Sequence, residues 1–578
     1  MPPASSKNFL KSILKPIYFI ILLYFAKIAL IAPFEITTEY TDAVVYAQGG
    51  LKFFWSFDHF DRYLACRQPV YYLFVYFNSF TGIPLRLSVE FLFLLGCYAM
   101  YVGMGRLGVK PFFAVLAFAL GAFFPGTFGG FDRLMSDTLY TLLMTLGCGL
   151  GLILVATVRH LEQTGTLTLK RILASPVSWG FGVVMALAYN TRPEHVYVAV
   201  AVLGIGLIAA WQMAQTKLRF AAILGLTVMA PLISIFTVTS AIKLANYTVY
   251  GYYLTFDLES PGYEAIQRSI LRIRSEQAIP YAPFMKDARE KAYAASPCFK
   301  QFEPGLEGRA LRDLEPSAYA DTQVKGHFGT WLNWAIMSAI GSVREEQARA
   351  AGKTGPVLDD YADMEQIYLQ CSAEIDKALE DGRLPSRPSF YPFYRGFWAG
   401  IPQDAWKFFK VYVGDMARPT AVHRHIITDE TVAAQAKRPE IEELFNQAAL
   451  RRTWLLTPKG GGPDAHPIND GIAAIYTGVA ARLTTWGTLI GIATLILLLG
   501  HLIRNRRPAA ISYAPFHIVL FLGGMVLARL ILMTAVAVLV FGHNDHRYVE
   551  SVGPLYQFCL PVWLQLFHSA IMAWRKRT

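Results

Sequence analysis

Pro69–Phe80, PVYYLFVYFNSF, is an apolar and aromatic run of about twelve residues, and whether it crosses a bilayer decides the orientation of every later segment. A helix of that length rises roughly 18 Å, against a hydrocarbon core about 30 Å thick. Tyr71, Tyr72 and Tyr76 suit the lipid–water boundary better than the interior. The run is therefore expected to be interfacial or half-embedded. Around it, apolar runs of about 20 residues begin near Ser12, Pro84, Pro111, Asp137, Pro176, Val196, Phe220, Thr485, Pro515 and Gly553.

Basic residues decide between the two topologies. If the short run does not cross, Arg106 and Lys110 fall on the cytoplasmic side. Arg159, Lys170, Arg171, Lys217 and Arg219 join them there, as do Arg504, Arg506, Arg507, Arg575, Lys576 and Arg577. If it crosses, every one of these clusters flips outside, against the positive-inside bias. The expectation is an all-α polytopic bundle of about ten spans with both termini inside. Lys7, Lys11 and Lys15 precede a first apolar run reaching Ala32 with no small-residue cleavage site, which reads as an uncleaved signal anchor.

Composition agrees. The 578 residues are 54% hydrophobic and only 16% charged, and the mean hydropathy of +0.34 is foreign to a soluble enzyme. A net charge of +11 would fit a nucleic-acid binder, but the basic residues flank apolar runs, so they report topology and contact with anionic lipid headgroups. Three units follow: an N-terminal membrane module at 1–242 with a first outer loop at 33–85, a mainly helical extracytoplasmic region at 243–480, and C-terminal membrane helices at 481–578.

Within the middle region, Gly262–Ser275, Met285–Ala294 and Asp359–Asp381 read as helices. In the last, Tyr361, Met364, Ile367, Tyr368, Cys371, Ile375 and Leu379 recur at three- and four-residue spacing, an amphipathic stripe. Gly326–Ile340, with Trp331 and Trp334, is too short to cross and suits the outer leaflet. Cys97, Cys148 and Cys559 lie in apolar runs and read as small core residues. Cys66, Cys298 and Cys371 are the ones this topology exposes to an oxidising compartment, and spacing alone does not decide whether Cys298 and Cys371 pair.

The segments left outside carry ionic residues against helix ends. They are Glu35, Glu39 and Asp42, then Asp132, Arg133 and Asp137, then Arg192, Glu194 and His195, and finally His543, Asp545, His546, Arg547 and Tyr548. Charges at the rim of a bilayer are costly unless solvated or used. Gathered at one face they would line a polar cleft opening toward lipid, suited to a substrate with a charged head and a greasy tail.

Five short motifs on this face resemble, in the same order, those of the GT-C superfamily of polyprenol-dependent glycosyltransferases, particularly protein mannosyltransferases and aminoarabinose transferases. Asp42-Ala-Val-Val-Tyr46-Ala47 resembles the first-loop motif, with Ala43 where the family usually has Glu. Arg67-Gln-Pro69-Val-Tyr71-Tyr72 is similar to the basic residue and Pro–Tyr-Tyr run before the second span, with Arg for the usual Lys. Asp137 resembles the second-loop aspartate that opens a span. Arg192-Pro193-Glu194 is similar to an Arg-Pro-Glu corner, and Arg547-Tyr548 to the C-terminal Arg-Tyr pair.

The resemblance implies transfer of a sugar from a polyprenyl-phosphate donor to a glycan, lipid or protein acceptor at the outer face of the cytoplasmic membrane. The displacement is expected to invert the anomeric carbon. Asp42 would be the base, and Asp137 would orient the acceptor, the base or a divalent cation, the one cofactor the site suggests. Arg67, Arg192 and Arg547 would hold the donor phosphate, a task suited to the guanidinium fork, and Tyr46, Tyr71 and Tyr548 would line the substrate. No nucleic acid and no defined metal set are expected.

Blander readings stand beside these. The arginines could be interfacial anchors or ion-pair partners, Asp137 a helix N-cap, and Glu194 a neutraliser of Arg192. His543, Asp545 and His546 lack a fourth ligand. Gly352-Lys353-Thr354 ends like a phosphate loop, but Gln347 stands at its first glycine position. A transporter or flippase of lipid-linked glycans and a catalytically inactive scaffold are the competing classes. Transporters tend to carry inverted repeats and midplane polar groups, and neither is visible in the sequence.

Overall fold

The computed structural model describes residues 6–30, 45–46, 49–50, 53–56, 65–127, 131, 134–213, 216–278, 284–307, 336, 339, 350, 361–388, 400–417, 478–479, 481–482, 484–489, 491–493, 513–541 and 551–575. Among the described residues the chain is helical with no β-strand, a single antiparallel bridge between Ile273 and Ser386 apart.

The membrane-type helices are α1 (Ser6–Leu30), α2 (Val70–Thr81), α3 (Leu85–Arg106), α4 (Pro111–Ala122), α5 (Ser136–Gln163), α6 (Pro176–Tyr189), α7 (His195–Met213) and α8 (Lys217–Tyr250). Helices α9 (Pro261–Arg272), α10 (Lys286–Ala295), α11 (Tyr361–Glu380) and α12 (Ile401–Ala417) follow, then α13 (Tyr513–Val536) and α14 (Gly553–Arg575). Among the described residues, five stretches are long and apolar enough to cross a membrane: Leu85–Arg106, Ser136–Gln163, His195–Met213, Lys217–Tyr250 and Ala514–Val540.

The short run is a helix of 12 residues, α2, ended by Gly82 at φ 68°. Only glycine takes that left-handed conformation without steric cost, and the turn delivers the chain to Pro84. Helices α4 and α6, at 12 and 14 residues, are shorter than the spans expected from Pro111 and Pro176. Breakers explain it: Pro125-Gly126 follows α4, and Arg192-Pro193 follows α6. The run beginning near Thr485 is described only at scattered positions.

Helices α3 and α5 approach closely through glycines. A Cβ at Gly149 would come within 2.6 Å of the Met100 backbone nitrogen, and one at Gly103 within 3.1 Å of the Gly149 carbonyl oxygen. Small residues at a helix contact allow this. The outer surface of the bundle is apolar instead: Trp211 is 70% and Phe236 74% exposed, with Leu203, Leu232 and Ile531 also exposed. So broad an apolar surface is out of place in water and suits a lipid surround.

Contacts between segments distant in sequence define two ends of the bundle. At one, the Arg86 guanidinium donates to the Thr127 carbonyl at 3.0 Å, and Gly553 packs on the Phe124 ring. At the other, the Lys110 N–H donates to Gln565 Oε1 at 2.7 Å, and Arg219 pairs with Glu162 at 2.5 Å. The basic residues Arg106, Lys110, Lys217 and Arg219 all lie at helix ends of this second kind.

Helix α8 has 34 residues, about 51 Å, so it outruns a hydrocarbon core. Its far end meets the first loop, where the Trp55 indole N–H donates to Asn246 Oδ1 at 2.7 Å. Asn246 also donates to the Leu254 and Thr255 carbonyls and is fully buried, so the Asn246-Tyr-Thr248 sequence serves packing.

Beyond α8 lies a second core, built by α9, α10 and α11. The expected helices fall at 261–272, 286–295 and 361–380. The stripe of Met364, Tyr368, Cys371, Ile375 and Leu379 is buried in that core. A disulfide joins Cys298 to Cys371, settling a pairing that spacing left open. Of Gly326–Ile340, Ile336 and Ala339 are described, and both are buried in this core.

Candidate functional site

Helix α5 begins at Ser136-Asp137, and the loop after α6 turns through Arg192-Pro193-Glu194 into α7. Their side chains meet. The Arg192 Nη1 lies 2.5 Å from Asp137 Oδ1 and 3.5 Å from Ser136 Oγ, and its Nε donates to Glu194 Oε1 at 3.0 Å. These groups are largely but not wholly enclosed: the Arg192, Asp137 and Glu194 side chains keep 14%, 19% and 11% of their exposure. Met135, without a capping side chain, occupies the cap position of α5. Asp137 sits in the first turn, where a carboxylate is favoured by the helix dipole, and its partner is an arginine.

The first loop reaches the same place. The Tyr46 hydroxyl donates to Ser136 Oγ at 3.0 Å. Its ring stands edge-on to Tyr71 at 4.8 Å, and the Arg67 guanidinium lies 5.6 Å from its centroid, a cation–π distance. Arg67 also donates to Cys66 Sγ at 3.4 Å. Next to it, the Gln68 amide meets His195 Nε2 at 2.9 Å, and the His195 ring stacks on Tyr189 at 3.9 Å.

Arg67, Tyr46, Tyr71, Asp137 and Arg192 are thus neighbours at one end of the bundle. Asp42, Arg547 and Tyr548 lie outside the described residues, as do Glu35, Glu39, Asp132, Arg133, His543, Asp545 and His546. Among the described residues no group of three His, Cys, Asp or Glu side chains could hold a metal ion. Arg192 and Glu194 do neutralise each other, and Glu194 has a second partner as well.

That partner is Arg529 of α13. Its two terminal nitrogens both bond the Glu194 carboxylate, one of them at 3.2 Å. The guanidinium lies beside the adjoining rings of Tyr140 and Tyr197, 5.7 and 5.4 Å from their centroids. A second buried ionic cluster sits at the same end. Glu90 of α3 receives Arg86 at 2.8 Å and Lys27 of α1 at 3.2 Å, with the Tyr24 hydroxyl also donating to it. Lys27 reaches on to Thr127 Oγ at 3.0 Å. The sequence does flag these residues in one way: Arg529 is the sole Asp, Glu, Lys or Arg in Tyr513–Val536, and ionisable residues in apolar helices are costly unless paired.

The molecule is a helical, membrane-type bundle with a polar helical region, and it gathers ionic and tyrosine side chains from distant helices at one end. Comparison of the chain with family models, characterised proteins and solved structures finds no match in any of the three.

Proposed function

We propose that this protein is a membrane glycosyltransferase that moves a sugar from a polyprenyl-phosphate donor to an envelope acceptor on the outer side of the cytoplasmic membrane. The observation that carries the reading is the meeting of Asp137 and Arg192 with Tyr46, Arg67 and Tyr71 of the first loop and α2. In this reading about ten segments span the bilayer and the 243–480 region is extracytoplasmic. The basic residues at the opposite bundle end support that sidedness, as does a disulfide in the polar region, since such bonds persist in oxidising compartments.

In the transfer step Asp42 takes the acceptor hydroxyl proton as its oxygen bonds to the anomeric carbon. The bond from that carbon to the phosphate oxygen breaks, and the electron pair leaves with polyprenyl phosphate. Arg192, Arg67 and Arg547 meet the developing negative charge. Asp137 holds Arg192 in place and orients the acceptor. Tyr46, Tyr71 and Tyr548 line the sugar.

The test is sugar transfer in membrane vesicles supplied with radiolabelled polyprenyl-phosphate hexose and pentose donors. Asp42→Asn and Asp137→Asn should each keep wild-type expression and lose transfer. Wild-type transfer by both variants overturns the assignment. A second reading, a flippase for lipid-linked glycans, draws on Arg529, a charge enclosed in an apolar helix. It predicts that glycolipid crosses vesicles containing the purified protein with the sugar still attached.

A further inference from the structure

We infer that Arg529 is a positioning residue of this site: its two-nitrogen hold on Glu194 fixes the carboxylate that aims Arg192 at Asp137. The inference rests on the reading of Arg192 as a phosphate-binding group. It is carried by a continuous chain of ion pairs from α13 to α5: Arg529 to Glu194, Glu194 to Arg192, and Arg192 to Asp137.

Arg529 is fully buried and Glu194 nearly so. A guanidinium in such surroundings holds one geometry, because its planar fork matches both carboxylate oxygens. The adjoining Tyr140 and Tyr197 rings, both within 6 Å of it, restrict it further. Glu194 is thereby committed. Its Oε1 bonds Arg529 on one side and the Nε of Arg192 on the other. With Nε held, the Arg192 side chain presents its Nη1 to Asp137 and Ser136.

Lysine at 529 would keep the charge and lose the fork. Glu194 would then be free to rotate and to take both edges of Arg192, drawing it from Asp137. Arg529 need never touch substrate for this to matter, since a small displacement of a group aimed at a phosphate costs binding and rate.

The measurement is equilibrium binding of polyprenyl monophosphate, the part every donor of this class shares, to the full-length protein in nanodiscs. Thermal unfolding is recorded on the same samples. Arg529→Lys and Glu194→Gln should each raise Kd about tenfold, and the double variant should bind no more weakly than Glu194→Gln alone. Two residues acting through one path give this non-additivity, whereas a general loosening of the bundle would multiply the two effects. Arg192→Gln separates the inference from the reading beneath it. If Arg192→Gln leaves Kd unchanged, the phosphate-site reading fails whatever Arg529 does. If Arg192→Gln weakens binding while Arg529→Lys and Glu194→Gln bind as wild type, the positioning role is wrong. Should Arg529→Lys not fold, Glu194→Gln carries the test alone, and a wild-type Kd for it overturns the inference.

Discussion

Asp137 in the first turn of α5 and Arg192 in the loop before α7 form an ion pair at 2.5 Å, enclosed but not sealed from solvent. Each group holds the other's orientation, so the two should behave as a unit. Asp137→Asn and Arg192→Gln are each expected to reduce transfer at least a hundredfold. The double variant should lose little more than either single one, with a coupling of about 1–3 kcal/mol. Rates measured around this double-mutant cycle check it, and additive losses would mean the pair does not work jointly.

Glu90 is the shared acceptor for Lys27 and Arg86, all three buried and drawn from α1 and α3. Removing a carboxylate from a buried charge cluster leaves cations without their compensating partner, which typically costs about 3–5 kcal/mol. Glu90→Gln should therefore lower the thermal unfolding temperature of the detergent-solubilised protein well beyond any surface substitution. Glu264→Gln, on an exposed ion pair at 3.8 Å, is the control and should change almost nothing. Equal melting of the two variants would deny the cluster a bracing role.

The apolar stripe of α11 was legible because a 3.6-residue period is a local property, and burial of Met364, Tyr368, Cys371 and Ile375 follows it. The end of α2 was legible for the same reason, as Gly82 follows an apolar run of one helix length. The shortness of α4 and α6 was less so. Phe123 and Phe124 continue the apolar run past α4 until Pro125 stops the backbone, whereas α6 gives way to the polar Asn190-Thr191-Arg192 before Pro193. At the site, Asp137 and Arg192 stand out as charges at helix ends. Arg529 shows its oddity in sequence but not its partner, since Glu194 is distant in the chain and their meeting depends on how α7 and α13 pack. Pairings such as Lys27 with Glu90 are likewise products of tertiary packing, invisible to any one segment's pattern.

Glu307 in the polar region has a pH signature. Burial pushes its carboxyl up, but hydrogen bonds from Arg289 at 2.6 and 3.0 Å, attraction to that guanidinium and the Tyr293 hydroxyl at 2.8 Å outweigh burial and hold it below its ordinary value. Glu374 is treated alike, with burial raising it and bonds from the Ser296 hydroxyl and the Cys298 N–H bringing it down. A carboxylate lowered in the folded state adds stability that is whole above its unfolded value of about 4.3 and disappears as pH falls through the folded one. The unfolding temperature should thus drop below about pH 4.3, and Glu307→Gln should make that decline shallower. A pH-independent difference between the two proteins from pH 7 to 3 would exclude the linkage.

The Cys298–Cys371 bridge ties the segment after α10 to α11 across a sequence separation of 73. Closing a loop of that size typically stabilises by about 2–4 kcal/mol, chiefly by restricting the unfolded chain. The double variant Cys298→Ser/Cys371→Ser should melt lower than wild type and no longer respond to reductant. The same bond reports the sidedness on which the functional reading depends. In right-side-out vesicles, a membrane-impermeant phosphine followed by an impermeant maleimide should label both cysteines. In inverted vesicles the pair should stay unlabelled until detergent is added. The four remaining described cysteines are buried in the bundle or its loops, so the double variant supplies the background. Labelling in inverted vesicles alone would put the polar region in the cytoplasm and turn the Asp137–Arg192 end of the bundle inward with it.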